Sequence, residues 1–225
     1  MISDVEQTLR DGLRTLGLDL DDQQVAQLLA YLAMIGKWTQ VYNLTAVRNP
    51  SEMMTHHLLD SLAAVPHLNR QVKQMDLENG ARLLDVGSGA GLPGVVIAIC
   101  CPTVAVTCVD TVGKKAAFIK QAALELKLSN LVGLHRRVEQ VTDSYDVICS
   151  RAFASLSDFI RWSADALAPG GVWMAMKGRH PASEIDSLDR SIKDIEVFHV
   201  EQLMVPGLDA ERCIVWARST SAVII

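Results

Sequence analysis

Apolar residues are spaced in two different ways along this chain, and the change falls near residue 80. Before it they recur every three or four positions. Val5, Leu9, Leu13 and Leu16 repeat at helical spacing, and Gly17 predicts the stop. Asp21 and Gln24 have the form of a capping box ahead of Val25, Leu28, Leu29, Leu32 and Ile35, a second amphipathic helix. Residues 37–47 are less regular. Ser51 then reads as the cap of a third helix carrying Met54, Leu58, Leu59 and Leu62, which should stop near Pro66.

From Gly80 onward, apolar runs of strand length alternate with helical stretches. The pattern predicts strands over 82–86, 104–109, 131–135, 145–150, 171–176, 197–203 and 213–217. Helices are predicted over 93–101, 114–126, 156–167 and 183–192. Such alternation is the sequence form of an α/β fold, a parallel sheet covered by helices on both faces. Right-handed crossovers lead to an open, doubly wound, Rossmann-like sheet with ligands at the carboxyl ends of its strands. The expected organisation is a helical segment over 1–79 packed on an α/β domain over 80–225, with no internal repeat.

Composition is that of an ordinary globular domain: 49% hydrophobic and 21% charged over 225 residues. The apolar stretch over 92–109 is broken by Pro93, Gly94 and Pro102, so no membrane span is predicted. The N-terminus opens with Asp4, Glu6 and Asp11 rather than a basic and then apolar leader. Cys100, Cys101, Cys108, Cys149 and Cys213 lack C-x-x-C spacing and read as small core residues of a cytoplasmic protein. Net charge is −5 overall. The middle of the chain, residues 81–180, carries 11 basic against 8 acidic groups, and this excess makes an anionic ligand or partner thinkable there.

The most informative segment runs Leu83-Leu84-Asp85-Val86-Gly87-Ser88-Gly89-Ala90-Gly91-Leu92-Pro93-Gly94. It reads as a buried strand, a glycine turn that lets backbone approach a ligand, and a helix start. Gly89-x-Gly91-x-x-Gly94 fits a dinucleotide fingerprint. Asp85-x-Gly87-x-Gly89-x-Gly91 resembles motif I of the S-adenosylmethionine-dependent methyltransferases, in which the loop holds the methionine portion of the cofactor near the strand-end carboxylate. Asp110, closing the second strand, suits a ribose under either parse. Leu167-Ala168-Pro169-Gly170-Gly171 resembles the segment before the fifth strand of methyltransferases and tips the balance toward them. An NAD(P)-binding, dehydrogenase-like protein is the alternative.

After the fourth strand stands Ser150-Arg151-Ala152-Phe153-Ala154, without the Pro-Pro stretch of adenine amino-group methylation. Cys149 falls inside the strand and reads as core, not as a nucleophile. Phe153 either stacks on a base or fills the core. His56, His57 and Asp60 lie three or four apart on one predicted helix and could converge on a metal, but methyl transfer needs none; bracing the helix or facing the site is the favoured role.

With Val41-Tyr42-Asn43-Leu44-Thr45, His57-Leu58-Leu59-Asp60-Ser61, the Gly87–Gly94 loop, Arg137-Val138-Glu139, the Ser150–Ala154 segment and Lys177-Gly178 in this order, the chain resembles the RsmG family, also called GidB, over roughly residues 20–217. That resemblance implies a class I S-adenosylmethionine-dependent methyltransferase sheet and transfer of a methyl group to N7 of a guanine in the 530 loop of 16S ribosomal RNA. The implied cofactor is S-adenosyl-L-methionine. The implied partner is 16S rRNA or the small ribosomal subunit, met by a monomer; another RNA or a small molecule is the alternative acceptor. Gly87 and Leu92 would line the cofactor, with Asp85, Gly89, Gly91 and Asp110 around it and Val138 and Glu139 beside the adenine. Arg137, Arg151 and Arg212 would face RNA or cofactor. Arg151 is the residue expected to matter most for catalysis, holding the cofactor carboxylate or an RNA phosphate; its other reading is a salt bridge to a neighbouring helix. Glu139 could equally be a helix-start carboxylate. The Tyr42–Thr45 motif is expected to help close the pocket.

Overall fold

Helix α1 (Asp4–Leu16) begins where Ser3 accepts the Glu6 N–H and ends at Gly17, which adopts the left-handed conformation. Helix α2 (Asp22–Tyr42) opens with the predicted capping box: Asp21 accepts from the Gln24 N–H at 2.8 Å, and the Gln24 side chain accepts from the Asp21 N–H at 3.1 Å. The helix runs on through the irregular stretch to Tyr42. Trp38 there packs against Tyr42 and Phe118, so the helix touches neighbours on several sides and its apolar positions form no single stripe. The structure, a computed structural model, describes residues 3–77, 80–192 and 194–220. The segment boundary expected at 79/80 adjoins residues 78 and 79, which lie outside the described residues.

The third helix departs from expectation at its start. Asn49, not Ser51, caps it, accepting from the Ser51 N–H at 2.9 Å and from its hydroxyl at 2.7 Å. A single α-turn, α3 (Pro50–Met53), widens into a π-helix over Met54–Leu59 and tightens again in α4 (Asp60–Leu62). It ends at Leu62, near Pro66 as expected, and after a turn at 63–64 Pro66 falls in the first turn of α5 (Val65–Gln74), where a missing N–H costs nothing.

The remainder alternates as read: β1 (Arg82–Val86), α6 (Gly94–Cys100), β2 (Ala105–Asp110), α7 (Gly113–Glu125), β3 (Leu131–His135), β4 (Tyr145–Arg151), α8 (Leu156–Ser163), β5 (Leu167–Lys177), α9 (Ala182–Ser191), β6 (Ile195–Leu203) and β7 (Arg212–Ser219). One seven-stranded sheet results, in the order β3-β2-β1-β4-β5-β7-β6. Strands β1 to β5 are parallel, but β7 runs antiparallel to both β5 and β6. The all-parallel reading is corrected here for a simple reason: no helix lies between 203 and 212, and so short a connection makes a hairpin. The 167–171 segment is also corrected, because α8 ends at Ser163 and Leu167 already pairs with Tyr145 in the sheet.

Neighbouring residues of β1 serve opposite faces: Leu83 belongs to one hydrophobic cluster and Leu84 to the other. The first cluster joins Leu9, Leu28 and Leu58 of the helical segment to Val95, Phe118 and Val147 of the α/β part, so both share one core. Each such fully buried side chain stabilises the fold by roughly 1.5–3 kcal/mol. Side-chain hydrogen bonds add to the join: Gln24 donates to the Ile99 carbonyl at 2.8 Å and Gln27 to the Leu126 carbonyl at 2.7 Å. The five cysteines are free thiols, and Cys149 is wholly buried as core. Among the described residues no helix is long and apolar enough to cross a membrane.

Candidate functional site

The glycine turn between β1 and α6 sits at the carboxyl edge of the sheet and is fastened from every side. The N–H groups of Gly87 and Ser88 donate to the Val109 carbonyl at 2.9 and 3.3 Å, and those of Gly91 and Leu92 to the Ser88 carbonyl at 2.7 and 3.0 Å. Gly89 N–H donates to Asp110 Oδ2 at 3.0 Å, and Gly94 N–H to Asp85 Oδ2 at 2.8 Å. Tyr31 of α2 reaches across to donate its hydroxyl to the Ala90 carbonyl at 2.6 Å. Gly87 and Gly89 both hold a positive φ, 65° and 59°. A side chain at Gly87 would collide with the Phe153 ring, whereas one at Gly89 would point into open space.

Two hollows meet at this turn, sharing Gly87 and Ala152 in their walls. The first, about 380 Å³, is lined by Val86, Asp110, Val138, Glu139, Phe153 and Trp162. Phe153 and Trp162 meet edge to face at 5.8 Å, so Phe153 is half-buried wall rather than deep core. Glu139 is exposed in a short 3-10 turn over Val138–Gln140, with Val138 buried beside it. Arg137 lies on the rim of the same hollow. The second hollow, about 560 Å³, is lined by Leu44, Thr45, His57, Asp60, Leu92 and Arg151, with Lys177 and Arg212 also reaching it. The Leu44–Thr45 part of the predicted closing motif is therefore in the wall.

Asp85 and Gly91 do not line either hollow. Asp85 is fully buried beneath the turn, next to Cys108 and Cys149 in the strand register, and it fastens the first N–H of α6. Burial pushes its carboxyl up to about 7, against the opposing pull of the Gly94 N–H and the Arg151 charge. A methyl group at Gly91 would strike Val95. Asp110, also buried, already accepts from Gly89 and from the Val112 N–H at 2.8 Å, with Lys115 Nζ 3.7 Å away. Each carboxylate oxygen keeps a second lone pair, so Asp110 still has capacity for a ribose.

Arg151 realises its salt-bridge reading. Its Nη1 donates to Asp60 Oδ2 at 2.7 Å and to the His56 carbonyl at 3.0 Å. Arg212, first in β7, donates from Nε to Asp60 Oδ1 at 2.8 Å. The antiparallel direction of β7 is what brings Arg212 to the same sheet edge as the end of β4. One carboxylate from the helical segment thus holds both arginines, while their side chains remain 18% and 25% exposed at the second hollow. Ala152, next in the chain, takes a left-handed φ of 51°, and such backbone strain tends to collect at functional sites.

His56, His57 and Asp60 do not converge on a common point for a metal, and no metal-binding group of three or more His, Cys, Asp or Glu is found among the described residues. His57 Nε2 pairs with the Thr45 hydroxyl at 2.8 Å. Burial, helped by the Arg151 charge, lowers its pKa to about 4, so the imidazole is neutral near pH 7. Lys177 links β5 to the β4–α8 loop, donating to the Ala154 carbonyl at 3.1 Å and to Glu184 at 2.8 Å. Tyr31, Lys115 and Trp162 carried no sequence signal of a site. Tyr31 sits in an ordinary helical core pattern, and the others become neighbours only through the crossovers.

The donor set decides between the two cofactor parses. A pyrophosphate needs free N–H groups at the helix start. Here the turn's N–H groups of Gly87, Ser88, Gly89, Gly91, Leu92 and Gly94 are all taken by protein acceptors. Asp110 stands beside the turn in the wall of the first hollow, while Asp85 below the turn is sealed from both hollows. A turn with six of its N–H groups spent and an acidic wall suits a nucleoside bearing a ribose better than two phosphates.

A family model described as rRNA small subunit methyltransferase G matches residues 24–215. The chain is 72% identical to the Ribosomal RNA small subunit methyltransferase G of Polaromonas naphthalenivorans, over 95% of this chain and 96% of that protein. It is 63% identical to the protein of the same name from an Acidovorax species, over 95% of both. Among solved structures, the ribosomal protein L11 methylase of Lactobacillus delbrueckii subsp. bulgaricus superposes with a TM-score of 0.53 at 12% identity, over 70% of this chain and 79% of that one, a likeness of fold.

Proposed function

The chain belongs to the rRNA small subunit methyltransferase G family, and from that premise we propose that it methylates N7 of a guanine in 16S ribosomal RNA. S-adenosyl-L-methionine is the methyl donor, supplying an electrophilic methyl group on a sulfonium. The observation that supports the site assignment is the glycine turn, most of whose N–H groups, those of Gly87, Ser88, Gly89, Gly91, Leu92 and Gly94, are bonded within the protein, with Asp110 beside it in the wall of the first hollow. Gly87, Gly89 and Leu92 form the floor under the donor. Asp110 receives the ribose, Val138 and Phe153 give the adenine flat apolar walls, and Glu139 stands at the rim.

Guanine N7 carries a free lone pair at neutral pH, so the reaction removes no proton before attack. What the residues must supply is alignment of the two reactants. The second hollow suits this task. Its one histidine in contact with Thr45 is neutral, which avoids placing a further cation beside a base that gains positive charge. Arg151 and Arg212, oriented by Asp60, hold an oxyanion at the edge of the hollow: the donor's carboxylate or an RNA phosphate. Action on ribosomal RNA supports a cytoplasmic location.

Mass mapping of 16S rRNA from cells with and without the gene tests this reading. One guanine of the 530 loop should lose its methyl group in the deletion and regain it when the purified protein and donor are added. An unchanged methylation pattern overturns the assignment.

A further inference from the structure

The cations around the crevice fall into two kinds. Arg151 and Arg212 are tied to Asp60, and Lys177 to Glu184. On the β2–β3 side stand Lys37, Lys114, Arg136 and Arg137, all exposed, and among the described residues none of the four is ion-paired. Their charges are free to meet a polyanion.

Lys37 and Lys114 adjoin exposed apolar residues. Of the large hydrophobic side chains exposed among the described residues, Val41 (70%) and Tyr42 (46%) are neighbours at the end of α2, and Val112 (44%) stands at the start of α7. Lys114 Nζ lies 5.3 Å from the Tyr42 ring centroid, and Val112 precedes it by two residues. Lys37 stands one helical turn before Val41 on the same face of α2. The Tyr42 ring is also held: it packs 5.1 Å from Trp38, which packs 5.2 Å from buried Phe118. A chain of three aromatic rings thus runs from the core to the surface and fixes the outermost one. Scattered exposed apolar residues need no explanation, but a fixed, exposed aromatic ring with an unpaired cation against it does. The patch is continuous with the crevice, since Val112, Arg136 and Arg137 line the first hollow.

We propose that the Tyr42–Lys114 face is a docking surface for single-stranded RNA flanking the target guanine, Tyr42 stacking on an unpaired base while Lys37, Lys114 and Arg136 take phosphates. The inference rests on the RNA-methylating function proposed above. Its chemistry is that of single-strand binding, in which aromatic platforms accept any base and a basic track follows the backbone. It also assigns the RNA a place in the structure that Arg151 and Arg212, being tied to Asp60, leave open.

The test uses the full chain, unmodified 16S rRNA and unmodified small subunits, measuring cofactor affinity, RNA affinity at several salt concentrations, and kcat and KM. Tyr42→Ala should raise KM for RNA about tenfold, the worth of one stacked base, with cofactor affinity unchanged. The triple variant Lys37→Ala/Lys114→Ala/Arg136→Ala should lower the slope of log affinity against log salt by about 2, at ~0.7 per phosphate on a single strand. Lys37, Lys114 and Arg136 are exposed, so the triple variant should melt with wild type, while Tyr42→Ala gives up its packing on Trp38 and should melt slightly lower with the protein fully folded at 25 °C. Wild-type KM and salt slope in both variants overturn the surface while leaving the methyltransferase reading intact. Loss of binding to assembled subunits with naked-RNA binding untouched puts the face against ribosomal protein and also overturns it. A wild-type protein that binds RNA through this face but methylates no guanine supports the surface and removes the reading it was built on.

Discussion

Asp60 Oδ2 accepts a hydrogen bond from Arg151 Nη1 at 2.7 Å, joining the start of α4, just past the π-helical turn, to the end of β4 across 91 residues of chain. The other oxygen of the same carboxylate takes Arg212. Removing Arg151 leaves Asp60 one partner; removing Asp60 leaves two arginines without their anion. The expected order of melting temperature is therefore wild type, then Arg151→Ala, then Asp60→Ala. Breaking a buried pair costs about 3–5 kcal/mol, and the partial exposure of both arginines brings that down to roughly 2. Turnover by Arg151→Ala should fall about a hundredfold or more, the scale of a misplaced reactant, with the protein still folded. An Asp60→Ala protein that melts with wild type, or full turnover by Arg151→Ala, refutes the shared-carboxylate account.

At Gly89 the open side of the turn predicts loss of ligand rather than loss of fold. The φ of 59° would strain a valine by roughly 1–2 kcal/mol, and its side chain would enter the hollow rather than strike protein. Gly89→Val should keep a cooperative melt only a few degrees lower, while calorimetry finds no S-adenosylmethionine binding. Unchanged affinity would mean that the turn does not touch the donor.

Asp85 makes stability depend on pH in a direction opposite to most carboxylates. Its folded pKa of about 7 lies above the ordinary value of 3.8, so between these values the folded protein keeps a proton that the unfolded chain gives up. Stability tied to this group is intact below about pH 4 and is lost as pH rises through 7. Asn in its place is neutral throughout and still accepts the Gly94 N–H. Asp85→Asn should therefore melt near wild type at pH 5 and above it at pH 8. His57, lowered to about 4, acts the other way, adding stability as pH rises toward 6.5; it is present in both proteins and cancels from the difference. A melting difference that does not change between the two pH values rules out a protonated, buried Asp85.

Much of this was legible in residue spacing. The capping box at Asp21, the stop at Gly17, the boundaries of β1 and β3 and the glycine turn all depend on neighbours a few positions apart. The misreadings arose where distant contacts decide. The direction of β7 depends on the lack of a crossover helix, a feature present in the sequence but passed over. The π-helix at Met54–Leu59 leaves the apolar pattern almost unchanged, yet it sets where His57 and Asp60 face. Asp60 lies in the wall of the second hollow and braces Arg151 and Arg212, in line with the favoured reading of its helix, but nothing in sequence spacing links position 60 to positions 151 and 212.

Tyr31 offers the clearest measure of how the helical segment serves the cofactor turn. Its hydroxyl is buried, and burial raises the phenol's pKa well above the ordinary value, so it remains a donor across the working pH range. The bond to the Ala90 carbonyl is the direct link from α2 to the glycine turn. Tyr31→Phe keeps the ring, which stacks 6.2 Å from Phe118, and removes only the oxygen. The bond itself contributes about 1 kcal/mol, and leaving the Ala90 carbonyl without this donor adds to the loss. At this chain length 1 kcal/mol lowers the melting temperature by about 2–4 °C. If the turn must be held to grip the donor, calorimetric affinity for S-adenosylmethionine should weaken by about three- to tenfold beyond what the lower melting temperature accounts for at 25 °C, where the protein is still fully folded. A variant that melts lower but binds the donor as tightly as wild type would make Tyr31 a packing residue alone, and the helical segment's role would then reduce to supplying Asp60.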